Sequence, residues 1–429
     1  MDCITNVEAK SRSGGLWRHP DFLKLWTGQT ISELGSRITR EGLPLTAVLV
    51  LGAQPSQMGF MTAVGAAATL LFGLLAGVWA DRIRRRPIMI AADLARAALL
   101  ASIPIAAFAH RLSMAQLYAV TGLAGFCTVF FDVAYQSYLP SLVERENLLD
   151  GNSKLAQSSS IAEIAGPSLT GVLVQLITAP IAILFDALSF LVSALSVWLI
   201  RKPEPKCDPA PSQHPAHDTV AGLRFIFRHP ILRPLACFSA TTFFSFGFIG
   251  PLYVLYAIRE LHIPPAALGV AIALGGVGSL LGATLASRIA RALGLARTFI
   301  GAILVMVVFY SLIPLAHGPM ALALSFLMVQ QLFGDSAITI FNVNERTLRQ
   351  SVAPDHVLGR VNAAMQLLTL GVYPLGALAC GFVAQALGMR RTLGLAMTGI
   401  ALSGIWLIAS PIRRLRDLPA RDGIPSSAL

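Results

Sequence analysis

A chain of 429 residues would suggest two or three soluble domains, yet 55% of this one is hydrophobic and only 13% is charged. That balance excludes an ordinary soluble globule and points to an all-α integral membrane protein, because a backbone in lipid must satisfy its own hydrogen bonds. The formal charge of +11 does not indicate a nucleic-acid binder either, since no Lys/Arg tract is interleaved with aromatics.

The N-terminal stretch MDCITNVEAKSRSGGLWRHPDF has no short apolar core, so no cleaved signal peptide is expected. Apolar segments of membrane-spanning length then recur, and breaks at Gly, Pro and charge clusters divide them into twelve predicted helices. Six, at 22–51, 56–80, 87–109, 114–138, 155–178 and 179–200, precede a Pro-rich stretch. Six more, at 233–257, 264–288, 297–316, 318–343, 358–386 and 389–412, follow it. The expected organisation is an N-terminal six-helix bundle in 1–200, a cytoplasmic linker in 201–232 and a C-terminal six-helix bundle in 233–429. Within the linker, Val220, Leu223 and Phe227 share a helical face opposite Arg224 and Arg228, the pattern of an interfacial helix.

The first predicted helix carries Glu33, Arg37, Arg40 and Glu41 within an arc of about 100°. Glu33 pairs in register with Arg37, and Arg37 with Glu41, at i,i+4 spacing. Glu33 would lie about 16 Å up the helix, near the bilayer centre. A lipid-facing position costs roughly 2.5–3.5 kcal/mol per Asp, Lys or Arg, so the stripe is expected to face a cavity or its helix neighbours. Glu33 is the first choice for a proton carrier, with Asp335 and Glu163 as further candidates, because a desolvated carboxylate can exchange its proton. Arg37, Arg40 and Glu41, with Gln331 and the aromatics Phe243 and Phe244, are the candidate substrate-cavity residues, suited to a bulky amphipathic molecule. A purely structural stripe and purely packing aromatics are the competing readings, and Asp186 is assigned a structural role.

With the N-terminus taken as cytoplasmic, 26 of the 33 Lys and Arg residues fall in inward segments and four in outward loops. That bias predicts cytoplasmic termini at both ends of a multi-pass protein. The two halves also repeat: ADRIRR at 80–85 matches ASRIAR at 286–291, and FDV at 131–133 matches FNV at 341–343. At the latter offset of 210, Asn152, Gly166 and Gly171 fall on Asn362, Gly376 and Gly381. Two parallel six-helix repeats with a site between them at the midplane form a transporter plan.

At GVWADRIRRRP (77–87) the chain resembles the major facilitator superfamily, whose cytoplasmic loop reads Gly-x-x-x-Asp-Arg-x-Gly-Arg-Arg. Gly77, Asp81, Arg82, Arg85 and Arg86 match, with Arg84 in place of the usual glycine. The resemblance implies a cytoplasmic latch in which Asp81 meets a helix N-terminus of the other half and Arg85 pairs with Asp132. GPSLTG (166–171), with Gly166, Pro167 and Gly171, is similar to the helix 5 packing motif of drug:proton antiporters. LGRVNA (358–363) and FDALSF (185–190) look like stretches of the group that contains macrolide efflux pumps and enterobactin exporters. The helix 4 arginine motif of many drug:proton antiporters is missing. The function implied is proton-coupled export of drugs, macrolides or siderophores by a monomer in a bacterial inner membrane. A proton-symporting importer and a non-transporting sensor are the alternatives.

No GxxxxGK[ST] stretch, no H-E-x-x-H and no CxxC among the five cysteines is present. Neither ATP, a metal, a cofactor nor an enzymatic reaction is therefore expected.

Overall fold

The computed structural model describes residues 16–80, 84–202, 204 and 215–415, and every regular element among them is a helix. In chain order these are α1 (Pro20–Leu49), α2 (Pro55–Ala80), α3 (Arg85–Phe108), α4 (Met114–Leu142), α5 (Leu148–Ile177), α6 (Ala179–Trp198), α7 (Pro215–Arg228) and α8 (Leu232–Arg259). They continue with α9 (Pro265–Leu293), α10 (Leu295–Tyr310), α11 (Leu312–Leu315), α12 (Met320–Val329), α13 (Asp335–Val352), α14 (Asp355–Leu370), α15 (Tyr373–Leu387) and α16 (Met389–Ile408).

Ten helical segments among the described residues are long and apolar enough to cross a bilayer. They take up the third to twelfth predicted positions. The first two positions are held by α1, whose charges break its apolar run, and by α2, 26 residues without a charged side chain. Three predicted helices are interrupted. The tenth passes through a π-helical turn at Gln330–Gly334 between α12 and α13. The ninth breaks at Ser311, three residues before Pro314, and the eleventh at Gly371–Val372, just ahead of Pro374. A proline ring excludes the preceding turn's hydrogen bond, which accounts for the last two.

Helix α1 packs on α5 and α6, α3 on α4 and α6, and α2 on α4. Their counterparts are α8 on α15 and α16, α10 on α13, and α9 on α13. Two seams join these groups, α5 with α9 and α2 with α15. Both are lined by glycines at the end that carries the α1–α2 loop. A Cβ at Gly171 would meet the Pro265 carbonyl, and one at Gly269 the Pro167 carbonyl. In the second seam Gly59 faces the Ala377 carbonyl and Gly381 faces Ser56, whose hydroxyl accepts from Gln385 Nε2 at 2.7 Å. Gly59 and Gly269 are 210 positions apart, as are Gly171 and Gly381. The sequence repeat is therefore a repeat of contacts.

Helix α7 lies against α14, with Gly222 at the Arg360 carbonyl, while Val220 and Phe227 are exposed.

Candidate functional site

The charged stripe of α1 and the acid of α5 form one cluster. Glu163 accepts from Arg40 Nη2 at 3.0 Å through one carboxylate oxygen and pairs with Arg37 Nη1 at 2.5 Å through the other. Arg37 also reaches Glu33 at 3.9 Å, and Arg40 reaches Glu41 at 3.4 Å. Glu33, Arg37, Arg40, Glu41 and Glu163 thus stand together. The close approach that permits this comes from Gly166, where a Cβ would collide with the stem of Arg37. The GPSLTG stretch therefore has two contacts in one helix: Gly166 seats α1, and Pro167 with Gly171 seats α9.

Asp335 packs against a neighbouring face of α9. Its Oδ1 accepts from the Tyr310 hydroxyl at 2.7 Å, and it forms no ion pair with any described residue. Adjacent glycines of α9 face the two acids: Gly275 abuts the Asp335 carboxylate and Gln331 Oε1, while Gly276 abuts Ile164 and the Glu163 carbonyl. Two adjacent positions of one helix thereby touch α5 at Glu163 and the Asp335 carboxylate. The π-helical turn places Asp335 here, since its extra residue rotates all that follows; Gly334 and Gly278 make room for the Tyr310 ring and the Leu332 carbonyl.

Gln331 is buried within that turn, beside Asp335. Among the aromatics of α8, Phe246 sets its ring edge-on to Tyr310, the hydroxyl partner of the acid, with centroids 5.2 Å apart. Phe244 is exposed and packs on Phe248. Phe243 lines a separate polar cavity of about 610 Å³ between α8, α13 and α14, with Asn342, Glu345, Arg346, Arg349 and Asn362. Glu345 and Arg349 form an i,i+4 pair there at 3.6 Å. NVNERTLRQ, a polar run at the end of an apolar segment, was the available signal for this cavity.

Of the latch residues, Asp81 and Arg82 lie outside the described residues, and Gly77 is in the last turns of α2. Arg85 and Asp132 form no ion pair in this structure, and Asp132 is exposed. Instead the Arg85 and Arg86 backbone N–H groups, at the start of α3, donate to the Glu204 carboxylate at 2.6 and 3.3 Å. The Arg86 guanidinium caps the end of α6 by donating to the Val197 and Trp198 carbonyls. A cation at a helix C-terminus complements the dipole and satisfies orphan carbonyls.

A buried ionic group in the first half was not anticipated. Asp93 pairs with Arg96 one turn along α3, and both are almost wholly buried. The Arg96 guanidinium is sandwiched between Phe131 and Phe190, at 4.4 and 4.1 Å from the ring centroids. Asp186, also buried, accepts from Ser189 at 3.0 Å and fits against α1 only because position 35 is glycine. The i,i+3 spacing of Asp93 and Arg96 in an apolar segment was the signal.

A family model described as Major Facilitator Superfamily matches residues 25–376. The chain is 26% identical over 368 residues to the multidrug efflux pump Tap of Mycolicibacterium fortuitum, covering 82% of this chain and 86% of that one. It is 25% identical over 417 residues to the enterobactin exporter EntS of Citrobacter koseri, covering 95% and 96%. Among solved structures, a bacterial homologue of the iron transporter ferroportin in an inward-facing state aligns with a TM-score of 0.74 at 17% identity, over 91% of this chain and 98% of that one. The D323A mutant of the nucleoside transporter NupG aligns at 0.77 and 11% identity, over 91% and 99%.

Proposed function

Because this chain belongs to the Major Facilitator Superfamily and is a multi-pass membrane transporter rather than an enzyme, we propose that it exports amphipathic small molecules in exchange for protons. Drugs, macrolides and siderophores are the substrate classes, in keeping with the names of its relatives. The setting is a bacterial inner membrane with both termini cytoplasmic, as the Lys/Arg bias favours. The working unit is a monomer of two six-helix bundles, 1–200 and 233–429, joined by the 201–232 linker and rocking about the central site. In that orientation the glycine seams close the outer side, so the state described is open inward.

The observation that carries the reading is the unequal pairing of the acids on two neighbouring faces of α9. At one, Glu163 is bracketed by Arg37 and Arg40. At the other, Asp335 has a hydroxyl partner and no cation. An uncompensated carboxylate at membrane depth is costly, and a bound proton removes that cost. Asp335 is accordingly the proton site, ahead of Glu33, whose side chain is exposed and leans on Arg37. Arg37 and Arg40 then receive the polar or anionic part of the substrate, and rearranging their grip on Glu163 couples binding to the seam at Gly276. Loss of the proton from Asp335 to the cytoplasm favours substrate loading, and its recapture from the outer side accompanies release.

The test uses everted vesicles with an acidic lumen, a lumenal pH probe, and a cationic dye, a macrolide and a catecholate siderophore in turn. Substrate-evoked proton efflux should appear in the native protein and vanish in Asp335→Asn, while Arg37→Gln keeps proton leak but loses response to substrate. Full coupling in Asp335→Asn with loss in Glu33→Gln would return the proton to α1. Absence of flux in the native protein with every substrate would count against export of these classes.

A further inference from the structure

Each half turns a corner before its third long helix, at α2–α3 and at α9–α10, and the two corners differ in charge. In the first, α3 begins at Arg85, and its first N–H groups are held by the Glu204 carboxylate. In the second, α10 begins at Leu295, 210 positions later, after Gly294 at φ +80°. The residue 210 positions after Glu204 is Arg414. Where one repeat supplies its own anion to the helix start, the other supplies a cation.

The α9–α10 corner encloses a pocket of about 360 Å³ lined by Arg291, Arg297, Arg413 and Arg414, and no Asp or Glu lines it. All four arginines are exposed, and none forms an ion pair with a described residue. The Leu415 carbonyl accepts from Ala296 N–H at 2.9 Å, which pins the turn after α16 beside the start of α10 and brings Arg413 and Arg414 into the group. Clustered guanidiniums and a helix N-terminus together form a phosphate-binding arrangement.

This pocket runs directly into an apolar groove. The two share Leu293 and Arg297, and the groove, of about 350 Å³, lies between α9, α10 and the start of α13. Leu281, Leu285, Ile289 and Leu293 make its α9 wall at i,i+4 spacing. Their span is about 18 Å, comparable with the roughly 15 Å depth of one leaflet's hydrocarbon. Gly301 on α10 lines the groove, and a Cβ there would touch nothing within 4 Å.

We infer that the α9–α10 corner and its groove bind one anionic phospholipid, with the phosphate among Arg291, Arg297, Arg413 and Arg414 and an acyl chain along the leucine wall. A zwitterionic lipid offers the same chain but brings its own cation to the headgroup. A soluble anion matches the arginines but leaves the groove without a partner. The combination selects a lipid of net negative charge, as basic pockets between transmembrane helices do.

The test is lipid retention by the purified full chain, read by native mass spectrometry with phosphatidylglycerol, phosphatidylethanolamine or inorganic phosphate added. One phosphatidylglycerol should be kept in preference to phosphatidylethanolamine. Arg297→Gln with Arg413→Gln should weaken retention about thirtyfold, the factor for two lost surface cations. Gly301→Leu, whose Cβ enters open space and whose side chain fills the groove, should weaken it while leaving the unfolding midpoint in lipid-free detergent unchanged. Equal retention of both lipids, or native retention by both variants, would overturn the assignment. Displacement of the lipid by millimolar inorganic phosphate would reduce the corner to a simple anion site and overturn it as well.

Discussion

Positions 37 and 247 make the same packing contact in the two halves, yet one is arginine and the other glycine. Arg37 lies against Gly166 where α1 crosses α5, and Gly247 lies against Gly376 where α8 crosses α15. One turn further, Arg40 meets Glu163, whereas Gly250 abuts the Tyr373 hydroxyl, each residue again 210 positions from its counterpart. The backbone frame is duplicated, and the charge is placed on one copy only. The same division holds deeper in the bundles. Asp93, Arg96 and Asp186 have Ile303, Met306 and Ala396 as counterparts, and all six are buried. A repeat can thus keep its crossings while one half becomes polar, because the crossings depend on small residues and the chemistry on what projects beside them.

The strongest way to break this comparison is at the buried ion pair. Asp93→Ala leaves the Arg96 guanidinium without its nearest carboxylate and should cost about 3 kcal/mol in equilibrium unfolding from mixed micelles. Transplanting the second half's answer, Asp93→Ile with Arg96→Met and Asp186→Ala, should recover most of that loss, since apolar replacement of a whole buried ionic group is often neutral. A triple variant less stable than Asp93→Ala alone would show that the first-half frame depends on its charges.

The corner at α3 offers a smaller effect. Glu204→Ala removes the carboxylate that holds the Arg85 and Arg86 N–H groups and should lower stability by about 1 kcal/mol, as loss of a helix N-terminal acceptor does. The corresponding change at Arg414 should leave lipid-free stability unaltered, because Arg414 forms no ion pair with a described residue. Equal losses at the two positions would remove the contrast between the corners.

The smallest effect has the opposite sign. The α5–α6 turn passes through Thr178 at φ 106° and ψ 154°, and the α15–α16 turn passes through Gly388 at φ 84° and ψ 159°. That region of backbone space is nearly reserved for glycine, and a β-branched residue there is strained. Thr178→Gly should therefore stabilise the protein by up to about 1 kcal/mol, measured in the same micelles, while Gly388→Thr destabilises it. A loss on Thr178→Gly would mean that the threonine side chain makes a contact worth more than the strain.

Membrane residence, the all-helical class and the repeat were legible in the residues alone, because apolar length and glycine spacing are local properties of the chain. The cluster on α1 was legible for the same reason: four charges at i,i+3 and i,i+4 spacing can point nowhere but together. Its partner was not. Glu163 is 123 positions from Arg40, and only the α1–α5 crossing at Gly166 decides that it, rather than Asp335, completes the group. The isolation of Asp335 depends on a π-helical turn, whose extra residue leaves no mark on hydrophobic periodicity. Phe243 and Phe246 look alike in TTFFSFGF, and packing alone sends one to a polar cavity and the other to Tyr310. Charge, length and period belong to the sequence; which distant acid meets which arginine belongs to the tertiary structure, because it is set by helix crossings that no single segment contains.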